Sequence, residues 1–137
     1  SRGLGDVYKR QKYTDNKGGG NTASNVSSTT DYLFLLSEYE VFATHQYCND
    51  AEPNYQAQYD YFKAGNSKVA NKHSATGTAA VWWLRSPNYN NINNNNYFCA
   101  VSSSGSLDYN NANNAYGVVP GFCHAWSHGV AIGERRP

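Results

Sequence analysis

Seven of the nine residues from 88 to 96 are asparagine, and so are four of the five from 110 to 114. No other feature constrains the fold as much. The asparagine side chain competes for nearby backbone groups, so such tracts disfavour both helix and strand interiors. They must lie in exposed loops or at strand ends, and the apolar runs around them must supply the core. Those runs are Val81-Trp82-Trp83-Leu84 before the first tract, Tyr97 to Val101 between the two, and Gly117 to Cys123 after the second. Pro87 stops the first from continuing as a paired central strand. Ser102-Ser103-Ser104-Gly105 reads as a turn, with Ser106 to Tyr109 returning as the hairpin partner of Tyr97–Val101. The last run reads as a closing strand kinked at Pro120.

Upstream the pattern changes. Tyr32-Leu33-Phe34-Leu35-Leu36 is a continuous apolar run of strand length, expected to be buried on both faces. Ser37 and Glu40 then form an S-x-x-E capping box, which predicts a short helix from Glu38 to Thr44. Asn54 is placed to cap a second helix reaching Ala64, with Tyr55, Tyr59 and Phe62 on one stripe and Gly65 to end it. Residues 66–79 read as a polar loop. Two helices followed by several short strands define an α+β class. Residues 1–30 are expected to be a non-native or flexible lead-in, 31–123 the domain, and 124–137 a tail of uncertain status. With no methionine, the chain reads as a fragment or processed product, and residues 1–11 as adapter-like sequence.

The composition of the 137-residue chain excludes several classes of function. Charged residues make up 15% and the formal net charge is +1, so there is no basic stripe for nucleic acid. No apolar run is long enough to span a bilayer, so membrane insertion is not expected. The three cysteines, Cys48, Cys99 and Cys123, contain no C-x-x-C pair and do not define a disulfide scaffold or zinc module. Cys99 and Cys123 read as buried thiols in apolar strands, and a bridge between them requires those strands to be adjacent.

At Trp82-Trp83-Leu84-Arg85-Ser86-Pro87 the sequence resembles a bacterial and phage domain family of unknown function. The family carries this strand, then F-C-x-V-x-S-x-G-S, here residues 98–106, then G-V-x-P, here Gly117-Val118-Val119-Pro120. Residues 35–42 and 61–69 are also similar to that family, and the resemblance covers about residues 31–123. Many such domains resemble variable proteins of diversity-generating retroelements. The resemblance implies a C-type-lectin-like fold, related to that of formylglycine-generating enzymes, whose binding face is rewritten by adenine-directed mutagenesis. It departs at Val119, where a basic residue is frequent in related domains, and the tail from His124 matches nothing in the family.

Two independent features agree with that implication. Randomising both adenines of an AAC or AAT codon cannot yield Lys, Gln, Glu, Met or Trp, and residues 88–116 contain none of these five. Tyrosine mixed with Asn, Ser and Gly is also the composition of a paratope, where rigid amphipathic rings anchor and small polar groups adapt. The alternative for the tracts is low-complexity polar sequence with no specific role. The candidate ligand-binding residues are Tyr89, Asn90, Asn91, Ile92, Asn93, Asn94, Asn95, Asn96 and Tyr97, with Tyr109, Asn110, Asn111, Asn113, Asn114 and Tyr116. The expected partner is an unidentified protein or surface ligand, at an extracellular, cell-surface or virion-associated location. The alternative is a structural or adhesive domain that is not diversified.

Sharper chemistry finds less support. Glu52-Pro53-Asn54 matches the sugar-specificity tripeptide of calcium-dependent lectins, but it precedes a predicted helix and lacks the partner strand that completes a calcium site. Cys123, His124 and His128 have no evident fourth metal ligand. From Ser86 to Gly133 the only formally charged residue is Asp108, which leaves few acid–base groups for catalysis and no cation to stabilise a thiolate at Cys99 or Cys123. We therefore expect no enzyme activity and no cofactor. Trp82 and Trp83 must point to opposite faces of their strand, one into the core and one free to support a binding face. Arg85 is suited to hold loop backbone or pair with a carboxylate.

Overall fold

The computed structural model describes residues 7–8, 10–15, 26–88, 96–125 and 131–132, with side chains from residue 29 to 53, 56 to 88 and 96 to 122. In chain order the strands begin with β1 (Val7–Tyr8), β2 (Arg10–Asp15), β3 (Val26–Asp31) and β4 (Leu33–Leu35). Helix α1 (Glu38–Phe42), a 3-10 turn (Glu52–Tyr55) and helix α2 (Asp60–Lys63) follow. Then come β5 (Ala70–Lys72), β6 (Ala75–Ala80), β7 (Trp82–Pro87), β8 (Tyr97–Val101) and β9 (Leu107–Asn111). The chain closes with β10 (Gly117–Val118), β11 (Pro120–Ala125) and β12 (Ala131–Ile132). The protein is mostly β with two short helices, in keeping with the α+β class.

A central mixed sheet runs in the order β10-β7-β8-β9, with β10 parallel to β7 and the other pairs antiparallel. A second sheet is organised by β11, which pairs with β1, β12 and β4. Two hairpins, β2–β3 and β5–β6, form separate two-stranded sheets, and β2 packs against β7. The core gathers Phe34, Leu36, Val41, Trp82, Leu84, Cys99 and Val101. Along β7, Trp82, Leu84 and Ser86 are buried while Trp83 and Arg85 are only partly so, which is the period-2 alternation of a strand with one core face.

The hairpin Tyr97–Val101 with its Ser102–Gly105 turn forms as its sequence predicts. Gly105 takes φ +85° in that turn, a conformation glycine adopts without a Cβ penalty. The capping box also forms: Glu40 N–H donates to Ser37 Oγ (3.1 Å) and Ser37 N–H donates to Glu40 Oε2 (3.0 Å). The closing strand divides near Pro120, as its kink predicts. Val118 stays with the central sheet, and Pro120 opens the strand that joins the second.

Several expectations are corrected. The run at Tyr32–Leu36 is not buried on both faces, because Phe34 and Leu36 are each 8% exposed while Leu33 is 64% exposed. It pairs with β11 near the molecular surface, so one face meets solvent. The helix expected from Asn54 to Ala64 is broken into the 3-10 turn and α2, with Gln56 extended between them. The cause lies outside the segment. Tyr59 N–H donates to Glu40 O (3.0 Å) and Gln58 Nε2 to Val41 O (3.0 Å), satisfying carbonyls at the end of α1. Gly65 ends α2 with φ +83° as expected. Residues 66–79 are not simply a loop, since β5 and most of β6 lie within them. Strands β1, β2 and most of β3 lie within residues 1–30.

Candidate functional site

The two asparagine-rich tracts leave the central sheet at the same end. Asn88 N–H donates to Tyr97 O and Ala112 N–H donates to Asn96 O, both at 2.9 Å, closing the sheet opposite the Ser102–Gly105 turn. Register then sorts the candidate residues onto two faces. Tyr97 pairs with Asn111 and Cys99 with Tyr109, while Phe98 pairs with Asn110 between them. Because strand side chains alternate, Tyr97, Tyr109 and Asn111 share the face of the buried Cys99 and Val101, and Asn110 lies on the other.

On the first face, the Tyr109 ring lies 5.9 Å from Tyr97 and 4.8 Å from Tyr47, the latter edge-to-face. Contacts of this geometry contribute about 0.5–1.5 kcal/mol beyond area burial. On the second face, the Tyr116 ring lies 4.6 Å from Trp83, and its hydroxyl accepts from Asn110 Nδ2 at 2.8 Å. Asn114 Nδ2 donates to Asn110 Oδ1 (2.9 Å) and to Asn111 O (3.0 Å). Asn96 and Asn113 are exposed, whereas the other described candidates are half-buried. Tyr89, Asn90, Asn91, Ile92, Asn93, Asn94 and Asn95 lie outside the described residues.

Tyr47 is a member of the aromatic row that sequence reading did not find. It is held from below by Glu38, which sits at the start of α1 and is fully buried. The Glu38 carboxylate accepts backbone N–H bonds from Gln46 (2.6 Å), Cys48 (2.8 Å) and Tyr47 (3.0 Å), and the Thr44 hydroxyl bond (3.1 Å). Charge-assisted bonds of this kind are about twice as strong as neutral ones. Residues 44–48 are thereby fixed against the sheet, and Tyr47 with them. Burial, then the neighbouring Tyr109 and Glu38, raise the Tyr47 hydroxyl pKa above its ordinary value.

The same buried layer extends inward. Ser86 Oγ accepts from Glu38 N–H (2.9 Å) and donates to Glu52 Oε1 (2.6 Å). Glu52 is fully buried, and that burial pushes its carboxyl up to about 7 against the opposing pull of Ser86 and Arg85. The lectin-like tripeptide therefore turns its glutamate into the interior, away from solvent. Arg85 pairs with a carboxylate, Glu40 Oε2 (2.6 Å), as expected, and the backbone that it holds is that of strand β4, through Leu35 O (2.8 Å), not a loop. Cys48 and Cys99 are free and buried, and Cys99 Sγ donates to Glu38 Oε2 at 3.6 Å. Burial, with the nearby carboxylates adding to it, raises both thiols. They are protonated and poorly nucleophilic.

Among the described residues no group of three or more His, Cys, Asp or Glu side chains is placed to hold a metal ion. The side chains of Cys123, His124 and His128 lie outside the described residues. Among the described residues no helix is long and apolar enough to cross a membrane. No curated protein and no solved structure matches the chain significantly. A family model does match, over residues 7–126, so it takes in strands from β1 through β11 and both tracts. The chain therefore belongs to the DUF6273 family, described as a domain of unknown function.

Proposed function

We propose that this domain is a ligand-binding scaffold with a C-type-lectin-like fold, presenting its Tyr/Asn-rich end to a protein or surface partner. In this reading it is akin to the variable proteins of diversity-generating retroelements. The observation that carries the reading is the common exit of both tracts from one end of the central sheet, while Trp82, Leu84, Cys99 and Val101 build the core elsewhere. Changes in the tracts then alter the surface and leave the packing intact. Binding without turnover is favoured by the protonated state of Cys48 and Cys99 and by the commitment of Glu38 and Arg85 to backbone partners.

A second reading, a fixed structural or adhesive surface, is favoured by the bonds among Asn110, Asn114 and Tyr116, which satisfy those side chains internally. Sequencing the encoding locus across its source population separates the two. Differences concentrated at adenine-containing codons of residues 88–97 and 109–116, with the codons of Trp82–Pro87 unchanged, support display. Variation spread evenly along the domain, or none, refutes it.

A further inference from the structure

A groove of about 650 Å³ lies between the β5–β6 hairpin and β10. Small apolar side chains line much of it, including Ala70, Ala79, Val81 and Val118, and Lys72, His73 and Tyr116 contribute its titratable groups. No residue lining it is acidic. It shares only Tyr116 and Ala115 with the second tract and its border, so it stands independently of the display reading.

The bordering strand has an open edge. Gly117 N–H donates to Val81 O at 2.8 Å, so Gly117 occupies the position that bonds to β7. In a parallel ladder the next residue turns its N–H and C=O the opposite way. Val118 thus directs both groups away from β7, at the outer edge of the central sheet, and it is 63% exposed. Gly117 keeps β10 tight on β7, since a Cβ there would meet Val81 O at 3.2 Å.

We propose that this groove binds an extended peptide segment, which adds as a strand to the β10 edge and sets an acidic side chain against Lys72 and His73. Strand addition draws affinity from main-chain hydrogen bonds and specificity from pockets for alternate side chains. Here the edge supplies the first through Val118. The alanine-lined wall leaves room for small side chains, and the Lys72 ammonium, with no acidic residue in the lining, selects a carboxylate.

The test uses fluorescein-labelled, end-capped octapeptides of alternating valine and threonine with one central glutamate, or lysine in its place, followed by anisotropy. The glutamate peptide is expected to bind more tightly than the lysine peptide and to slow hydrogen exchange at the Val118 amide. Val118→Pro removes a donor that faces away from β7 and is expected to weaken binding about tenfold, the equivalent of one hydrogen bond. Lys72→Glu, at an exposed position that leaves folding unaffected, is expected to weaken the glutamate peptide about fivefold and reverse the preference. Equal binding of the two peptides, no saturable binding, or an unprotected Val118 amide in the complex overturns the proposal. So does full competition by octanoate, which would mark a small-molecule pocket. Asn113→Ser, which alters the display end only, should leave peptide binding unchanged.

Discussion

The buried glutamate beneath the site makes stability depend on pH in an uncommon direction. Glu52 keeps its proton up to about 7, against an ordinary 4.5. In the unfolded chain it ionises near the ordinary value. Between those limits the folded state holds a proton that the unfolded state has released, so stability falls as pH rises through the window. Below 4.5 both states are protonated, and above 7 both are ionised, so the curve is flat at each end. At about 1.4 kcal/mol per pH unit, the displacement corresponds to about 3 kcal/mol. Most carboxylates act the other way, gaining partners when charged and stabilising the fold as pH rises. Glu52→Gln isolates the effect because it keeps the shape and an oxygen to accept from Ser86, but cannot ionise. Urea unfolding of both proteins from pH 4 to 8.5 should show the variant gaining about 3 kcal/mol relative to the parent, mostly between pH 4.5 and 7. The histidines and other groups common to both proteins cancel in that difference. A difference constant with pH to within about 0.5 kcal/mol would refute the reasoning, showing that Glu52 titrates alike in both states.

Three further outcomes follow from packing. In a Cys123→Ser background, Cys48 and Cys99 should react with a thiol-specific disulfide reagent only after denaturant is added, because both thiols are buried and protonated; rapid native-state labelling would contradict this. Leu84→Ala should cost about 3 kcal/mol by urea unfolding, whereas Asn113→Ser should stay within about 0.5 kcal/mol; equal losses would contradict the separation of core from surface. Gly121→Ala places a Cβ 2.5 Å from the Phe34 ring and should cost about 1–3 kcal/mol, while a neutral result would mean that β4 and β11 shift apart freely.

What could be read from the sequence was local. The capping box spans four residues and the β8–β9 hairpin a single turn, so their determinants lie side by side in the chain. The expected helix at residues 54–64 failed because Tyr59 and Gln58 bond to the end of α1, a tertiary demand invisible to periodicity. The β5–β6 hairpin was missed because Ala75-Thr76-Gly77-Thr78-Ala79-Ala80 has β-branched residues but little hydrophobic contrast. In the candidate site, the rings of Tyr97 and Tyr109 were anticipated, and Tyr47 was not. Glutamates are assigned to the surface by default, so the interior places of Glu38 and Glu52, and the loop that Glu38 fastens, left no local trace. Their partners at Gln46–Cys48 and Ser86 are brought in only by the fold.

The role of β11 has a kinetic consequence. Its pairing of Val7 with His124 and of Leu35 with Pro120 joins segments separated by nearly the whole domain, whereas β7, β8 and β9 associate through nearer neighbours. Closing so long a loop has a large entropic cost before any contact offsets it. The second sheet should therefore assemble last, over a central sheet already paired, and its closure should limit the folding rate. Asn96 and Asn113, exposed in the folded protein, should leave that rate untouched when substituted.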